Sequence, residues 1–409
     1  MNASDLPLAG LRVVELTHMV MGPTCGMILA DLGAEVIKVE PLEGDNTRRL
    51  RGSGAGFYAL FNRNKRSLAI DLKQPEGMAA LHRLLASADV FSENFKTEAM
   101  DRLGLSPHAL RDRYPKLICV AHKGFLPGPY EERTALDEVV QMMGGLAYMT
   151  GPPGRPLRAG TSVNDIMGGM FGAIGVMAAL MQRGRTGSGS TVRSALFENN
   201  VFLVAQHMMQ YAVTGQPAAP MPARISAWSV YDVFDTQDGE QIFLAAVSDT
   251  QWTLLCQEFQ WPDLAADPRL SGNNARAQER SWLLPVLRER FGAYSKAELA
   301  SRFERIGLPY APITRPQELF EDPHLQASGG LAAMQVPADA SCASHPVSTR
   351  VPLLPLTLND ERLQVRHGPP ALGADTIAVL RSVGYSDPEI ETLLARGVIR
   401  GADVEIEQC

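Results

Sequence analysis

The sequence lacks the cysteine pattern of a disulfide-bonded or zinc-binding protein. Its five cysteines are widely spaced, odd in number and include no CxxC pair. This arrangement argues against a disulfide framework or a zinc site and fits a reducing compartment. The first residues also lack the basic start and apolar stretch of a secretory signal peptide. We therefore expect a cytoplasmic protein that holds no metal.

The sequence also lacks the charge pattern of a nucleic-acid-binding protein. The formal net charge is -7, and scattered Lys and Arg residues do not form a stripe that could follow a phosphate backbone. The longest apolar region, at 166–181, is interrupted by glycines and is shorter than the roughly 20 residues that span a bilayer. We expect no nucleic-acid partner, no membrane partner, and a buried helix at 166–181.

Three common catalytic motifs are missing. The sequence contains no GxxxxGK[ST] loop, no HExxH pair and no GxSxG turn, which disfavours NTPases, zinc proteases and α/β-hydrolases. The glycine cluster at 52–56 lacks GxGxxG spacing and follows no clear strand. It indicates a surface loop rather than a dinucleotide site.

Short apolar strands alternate with helices in the first half of the chain. Strands are predicted at 11–16, 35–39, 89–91 and 117–120, with helical segments between them. This alternation is typical of an α/β fold with a parallel sheet covered on both faces. Ligands of such sheets bind outside the carboxyl ends of the strands.

The chain length predicts two domains, because 409 residues exceed what one compact core usually holds. A stretch rich in Gly, Pro and Ala precedes a predicted hairpin and several short helices, which indicate a smaller α+β domain. The predicted segments are a large domain at 1–213, a linker at 214–225, a small domain at 226–330, a return linker at 331–358 and a C-terminal part at 359–409.

Asp165 is the candidate catalytic residue. It opens a long, nearly uncharged helix, and an aspartate at such a position commonly caps the helix. Neighbouring Thr, Ser and Asn side chains already offer caps, however, and Gly168 and Gly169 would leave room for a substrate carbonyl. Free backbone N–H groups at the helix start could then stabilise an oxyanion.

A series of short segments extends over nearly the whole chain. They are 8–17 with the Gly-Pro pair at 22–23, LGAEVIKVE at 32–40, NRNKRS at 62–67, ENF at 93–95, LG at 103–104, KG at 123–124, Asp165, and GYSDPEI at 384–390. Each segment is modest alone. Together, and in this order, they resemble the family III CoA-transferases (the CaiB/BaiF family). That family includes formyl-CoA:oxalate and carnitine CoA-transferases and, as a divergent branch, α-methylacyl-CoA racemase.

The resemblance implies a fold and a mechanism. The fold is a large Rossmann-like domain built from both chain ends, with a small inserted domain and two subunits interlocked as rings in a homodimer. In the mechanism, Asp165 attacks the thioester of an acyl-CoA, and CoA passes through a mixed anhydride and an aspartyl-CoA thioester to an acceptor acid. A carboxylate suits this role because it is ionised at neutral pH. Acyl-CoA and a small carboxylic acid are thus the expected partners, with no permanently bound cofactor.

The same resemblance assigns residues to the site. They are His18, Met19 and Val20 along the CoA thiol arm, Asn94, Phe95 and Arg102 at the adenine and phosphate end, Lys123 and Asp137 elsewhere in the CoA site, and Gly168 and Gly169 beside the nucleophile. The competing interpretations are strand-end packing for the first loop, a solvated charge for Arg102 and helix capping for Asp137.

Two departures from the family narrow the expected activity. Racemases have a Gly-His-Asp stretch, whereas residues 135–137 here read Ala-Leu-Asp, so Leu136 stands where a second acid/base is needed. The glycine run of formyl-CoA transferases is missing from 223–228, which disfavours oxalate as the acceptor. An acyl-CoA racemase or epimerase, a non-catalytic CoA-ester binding protein and a thioesterase remain the alternatives.

Three arginines favour a dicarboxylate acceptor. Arg155, Arg158 and Arg224 are candidates to bind a second carboxylate, because a guanidinium pairs bidentately with that group. We expect succinyl-CoA as the donor and a small diacid such as itaconate, mesaconate or citramalate as the acceptor. A structural or surface role for these arginines is the alternative.

Overall fold

The computed structural model describes residues 3–223, 227–341, 343 and 345–402. The chain separates into two compact units, one formed by Met1–Pro222 with Pro323–Cys409 and the other by Ala223–Asp322. The sequence predicted a small domain at 226–330. The difference lies at 323–330, because the short helix Pro323–Ala327 belongs to the larger unit.

The strands follow one another along the described residues with these bounds. They are β1 (Arg12–Leu16), β2 (Glu35–Glu40), β3 (Lys65–Ile70), β4 (Val90–Glu93), β5 (Ile118–Lys123), β6 (Thr191–Ala195), β7 (Val230–Asp235), β8 (Gln241–Ala246), β9 (Tyr310–Pro312), β10 (Leu331–Val336), β11 (Val347–Pro352), β12 (Thr357–Leu358), β13 (Glu361–Arg362) and β14 (Ile399–Arg400).

The α-helices lie mostly between these strands. They are α1 (Met21–Asp31), α2 (Phe57–Phe61), α3 (Pro75–Leu85), α4 (Thr97–Arg102), α5 (Pro107–Arg113), α6 (Asp137–Met143), α7 (Leu146–Thr150), α8 (Val163–Thr186), α9 (Leu196–Thr214), α10 (Asp249–Glu258), α11 (Pro262–Ala266), α12 (Asn273–Gln278), α13 (Arg280–Phe291), α14 (Lys296–Arg305), α15 (Pro323–Ala327), α16 (Thr376–Ser382) and α17 (Asp387–Ala395).

A seven-stranded sheet forms the centre of the larger unit. Its order is β14-β3-β2-β1-β4-β5-β6, and all neighbours are parallel except β14, which is antiparallel to β3. The inner order β3-β2-β1-β4-β5-β6 is that of Rossmann folds. The predicted parallel sheet is therefore confirmed. Strand order reverses between β1 and β4, and such a reversal opens a crevice for ligands.

The strands bury side chains on both faces, as parallel strands between helical layers do. Val14 and Ile37 belong to one core cluster, whereas Val13 and Val36 belong to the other. Because successive side chains point to opposite faces, the short apolar runs supply both cores at once.

The end of the chain returns to the large sheet. Val379 of α16 and Ile390 of α17 are buried in the same core cluster as Val14. The Asp375 carboxylate accepts a 2.9 Å hydrogen bond from the Ser67 backbone N–H, and Ile399 in β14 pairs with Ile70. Residues from both ends of the chain thus build this unit.

The segment 331–358 differs from the predicted extended return linker. Strands β10 and β11 pair as an antiparallel hairpin, and Met334, Val336 and Val351 pack with Tyr58 in a small core cluster. The many Pro and Ala residues of this segment concealed the alternation of buried and exposed positions that a half-buried hairpin needs.

Helix α8 is longer than the predicted apolar region at 166–181. It continues to Thr186 and ends at Gly187, whose φ is 72°, so the argument that it is too short for a bilayer was wrong. Among the described residues it is the one helix with the length and composition to cross a membrane. A core helix passes the same test, and one face of α8, with Ala173 and Val176, is buried in a core cluster.

The smaller unit contains a hairpin and short helices. Strands β7 and β8 form the predicted hairpin, and β9 adds a third antiparallel strand. Phe234 and Phe291 pack edge to face in its core, with ring centroids 4.9 Å apart. This unit is α+β, as the sequence predicted.

Candidate active site

The loops after β1 and β4 meet at the crevice where the strand order reverses. The His18 backbone N–H donates to Asn94 Oδ1 at 3.0 Å, and Asn94 Nδ2 donates to the His18 carbonyl at 2.8 Å. The rings of His18 and Phe95 lie with centroids 5.0 Å apart. Three residues that the sequence assigned to the CoA site are therefore in direct contact.

Buried polar groups fix the backbone of the first loop. Lys38 Nζ donates to the Thr17 carbonyl at 2.7 Å, and the Met19 N–H donates to Thr47 Oγ1 at 3.0 Å. Met19 has a φ of 62°, a left-handed conformation that a non-glycine residue rarely adopts and that the surroundings must enforce. Val20, by contrast, is buried in the core. The loop thus presents His18 and Met19 and uses Val20 as an anchor.

Two neighbouring cavities open at this end of the sheet. One, of about 590 Å³, is lined by residues that include His18, Met19 and Thr47. The other, of about 370 Å³, is lined by Leu72 and Lys73 among others, and Phe95 lines both. A mainly apolar groove with a few polar groups suits a long ligand that has a polar end.

Lys123 and Arg102 do not line either cavity. Lys123 Nζ forms an ion pair with buried Glu93 at 2.8 Å and donates to the Phe95 carbonyl at 2.6 Å. Burial raises the pKa of Glu93. Lys123 therefore ties the end of β5 to the Phe95 loop, and it also lines a separate cavity of about 670 Å³ together with Arg111 and Arg193. Arg102 is an exposed side chain whose Nε donates to the Glu98 carbonyl within α4.

Asp165 lies in the first turn of α8, next to the loop after β1. Successive positions along α8 contact successive positions along α1. A Cβ on Gly169 would meet Thr24, and one on Gly172 would meet Cys25. One helical turn earlier, Asp165 is beside the residues that precede α1. No hydrogen-bond partner for its carboxyl group is found among the described residues, so Asp165 is not a helix cap.

Asp137 caps α8 from another helix. Its Oδ2 accepts hydrogen bonds from the backbone N–H groups of Asn164 at 2.7 Å and Asp165 at 3.1 Å, while Gln141 donates to its Oδ1. The sequence left open whether Asp137 binds CoA or caps a helix, and the contacts are those of a cap. They also correct the expectation of free N–H groups for an oxyanion, because these two amides are already bonded.

The environment of Asp165 favours its protonated form. Burial, together with the negative charges of Asp137 and Glu138, raises the pKa of Asp165 to about 7. The sequence predicted a carboxylate that is fully ionised at neutral pH. Burial and the two neighbouring negative charges instead disfavour the ionised form. A strongly shifted pKa at a crevice is typical of a reactive group.

Gly168 and Gly169 do not leave room for a substrate, contrary to the prediction. Both are buried. A Cβ on Gly168 would lie 2.3 Å from Met21 Cε, and one on Gly169 would lie 2.5 Å from Thr24 Cβ and 2.7 Å from the Met21 carbonyl oxygen. Their function is to let α8 approach α1 closely, which sets the position of Asp165.

Gly169→Ala is expected to lower the free energy of unfolding by about 1–3 kcal/mol, because an added methyl group overpacks the α1–α8 contact. Gly184→Ala in the same helix is the matched control, since no described atom lies within 4 Å of its Cβ position. The control should be neutral or stabilise the protein by up to about 1 kcal/mol. Urea unfolding measures both, and equal stabilities would contradict the close approach.

The three candidate arginines have different positions. Arg158 forms an ion pair with Glu138, next to the capping Asp137. Arg155 is exposed, and its side chain has no partner among the described residues. Arg224 lies outside the described residues. Leu136, at the position of the racemase histidine, is 61% exposed and offers no acid/base group.

Sequence reasoning missed several groups that shape the site. Gln141 is fully buried, bonds to Asp137, and accepts the Ala159 N–H at 2.8 Å. Thr47 and Lys73 line the cavities. The sequence did contain a signal for Thr47 and Lys73, because each is a polar residue in the loop that follows a strand, β2 or β3. Gln141 shows no such signal, because its role depends on the packing of α6 against the segment before α8. Among the described residues, no cluster of His, Cys, Asp or Glu could hold a metal ion.

Comparison with known proteins gives a consistent result. The model of CoA-transferase family III matches residues 8–376. A succinate–glutarate CoA-transferase from Agrobacterium fabrum is 34% identical over 91% of this chain and 95% of its own length. A succinyl-CoA–D-citramalate CoA-transferase from Chloroflexus aurantiacus is 33% identical over 81% of this chain and 84% of its own.

A solved structure agrees with these matches. The crystal structure of a CaiB/BaiF family protein from Brucella suis has a TM-score of 0.82 and 32% identity, and the match covers 92% of this chain and 99% of that one. The family match, these relatives and the shared fold show that the chain belongs to the family III CoA-transferases and is an enzyme of that class.

Proposed function

We propose that this chain transfers CoA from succinyl-CoA to a small dicarboxylic acid through covalent intermediates on Asp165. The observation that carries the proposal is the position of Asp165. Its carboxyl group has no partner among the described residues and lies in the first turn of α8, one turn before the glycines that contact Met21 and Thr24 of α1. In a CoA-transferase, such a carboxyl group can reach a thioester held along the loop before α1.

The proposed reaction proceeds in four balanced steps. The Asp165 carboxylate attacks the thioester carbonyl, and the C–S bond breaks to give a mixed anhydride and CoA thiolate. The thiolate attacks the Asp165 carbonyl, giving an aspartyl-CoA thioester and releasing the donor acid. The acceptor carboxylate attacks that thioester and expels the thiolate, which finally attacks the acceptor carbonyl and restores Asp165. No net proton or electron is consumed.

CoA would extend along the two cavities as a substrate. We place its thiol arm in the cavity beside His18 and Met19, and its adenine and phosphate end towards the cavity that Lys73 lines. Lys73 would supply a positive charge for a phosphate. Asn94 would act indirectly, because both ends of its amide already bond to His18.

The acceptor is assigned as a dicarboxylate on two grounds. Relatives that span most of the chain have names that pair succinyl-CoA or succinate with glutarate and citramalate. Arg158 forms an ion pair with Glu138, and the neighbouring Asp137 accepts the backbone N–H of Asp165. Glutarate, itaconate, mesaconate and citramalate are the candidates.

A paired acceptor series tests this assignment. With succinyl-CoA as the donor, glutarate should react at least about tenfold more efficiently than valerate, which has the same chain length and lacks one carboxylate. Arg158→Ala should remove this preference and leave valerate unaffected, as measured by chromatography of the CoA thioesters. Equal loss on both acids would refute the role of Arg158, and no transfer to any diacid would refute the proposed acceptor class.

We also propose that two copies of the chain assemble as a homodimer in the cytoplasm. Helices α6, α8 and α9 expose many large apolar side chains, among them Met142, Met170, Ile174, Met181, Phe202, Met208 and Met209. Apolar surface of this extent indicates a protein partner, and a second copy is the partner that the family resemblance implies. Light scattering should give the mass of two chains.

A further inference from the structure

An ion pair lies beside the proposed nucleophile. The Arg158 guanidinium bonds to the Glu138 carboxylate, and the two side chains are 43% and 50% exposed. In a single copy of the chain, both side chains are therefore open to solvent. The backbone around them is fixed, because Gln141 accepts the Ala159 N–H at 2.8 Å and so ties the Arg158 segment to α6.

The position of this pair follows from its neighbours. Glu138 directly follows Asp137, whose carboxylate accepts the backbone N–H groups of Asn164 and Asp165. The negative charge of Glu138 also contributes to the raised pKa of Asp165, which requires the two carboxyl groups to be near each other. One end of a short diacid could thus reach Asp165 while its other end reaches Arg158.

Building on the proposed function, we propose that Glu138 is an internal competitor for Arg158 and sets the specificity for dicarboxylates. In the free enzyme, the Glu138 carboxylate holds the guanidinium. When a diacid binds, its distal carboxylate takes that place and Glu138 turns to solvent. A guanidinium presents a planar pair of donors that either carboxylate can fill.

The charges around the site explain why a diacid needs to replace Glu138 at Arg158. Asp137, Glu138 and Asp165 make the site acidic, and a diacid would add further negative charge to it. Arg158 is a cation that pairs with one of these acidic groups, Glu138. An exposed ion pair is weakly held, so exchanging one carboxylate for another is feasible. A monocarboxylate has no group for this exchange and leaves the pair intact.

Glu138→Gln tests the inference, because it keeps the shape of the side chain and removes its charge. The variant should lower KM for glutarate about 3- to 10-fold and leave KM for valerate unchanged. In an Arg158→Ala background the same change should have no glutarate-specific effect. Glu132→Gln is the matched control, since Glu132 is an exposed acid in the loop ahead of α6 and its loss changes net charge equally.

The possible results separate this inference from the proposed function. If Glu138→Gln changes KM for glutarate and valerate alike, or changes neither, Glu138 does not compete for Arg158. The same conclusion follows if the glutarate effect persists without Arg158. Mass spectrometry of the Asp165 adduct with succinyl-CoA is the parallel readout. An adduct in both proteins without a glutarate-specific change overturns only the inference, whereas no adduct in the wild type overturns the proposed function and the inference with it.

Discussion

Asp165→Asn is expected to lower kcat for CoA transfer by at least about 10³-fold, because the amide cannot form the anhydride or the aspartyl thioester. Asn has nearly the same shape as Asp, and the Asp137 bonds go to backbone N–H groups that the substitution retains. The start of α8 should therefore keep its structure. Initial rates with succinyl-CoA and glutarate measure the effect.

The control for this experiment is Asp101→Asn in α4. Asp101 is exposed, and its substitution also removes one negative charge from the protein. Its kcat should stay within about twofold of the wild type, as expected for a surface change. An Asp165→Asn enzyme that retains a tenth or more of the wild-type kcat would exclude Asp165 as the covalent nucleophile.

The same substitution is expected to stabilise the protein at alkaline pH. The pKa of Asp165 is raised from 3.8 to about 7 by burial and by the charges of Asp137 and Glu138. Between these two values the folded protein keeps a proton that the unfolded chain has lost. Wild-type stability therefore falls as pH rises through this window, and each pKa unit corresponds to about 1.4 kcal/mol.

The amide introduced by Asp165→Asn does not ionise in the folded or the unfolded protein. The loss of stability that accompanies ionisation of Asp165 is therefore absent from the variant. Asp165→Asn should have the same free energy of unfolding as the wild type near pH 4, and should exceed it by about 2–4 kcal/mol at pH 8. Urea unfolding at several pH values measures the difference. Asp101→Asn should remain within about 0.5 kcal/mol of the wild type. A difference for Asp165→Asn that does not grow with pH would mean that the folded protein does not disfavour the charged form.

Local patterns in the sequence were sufficient to predict the sheet of the larger unit. Runs such as the one around Val13 and Val14 are short, apolar and bounded by helices, which indicates parallel strands buried on both faces. The strand ends then located His18 and Asn94, because ligands bind where strand order reverses. The matched family segments added Asp165, which no local pattern could separate from an ordinary helix cap.

The roles of the remaining site groups depend on contacts between distant segments. Asp137 caps a helix that begins 26 residues later. Position 169 needs a glycine because Thr24 packs against it. The bonds of Lys123 to Glu93 and to the Phe95 carbonyl are likewise contacts that the sequence does not show. A single sequence shows the residue type at each position but not which partner it meets.

The most direct test of the central claim is peptide mapping of the protein after it is mixed with succinyl-CoA and treated with hydroxylamine. An activated Asp165 carbonyl should be trapped as a hydroxamate, found on the peptide that contains Asp165 and absent from the Asp165→Asn protein. A trapped residue elsewhere in the chain, or efficient CoA transfer with no residue trapped, would contradict the account.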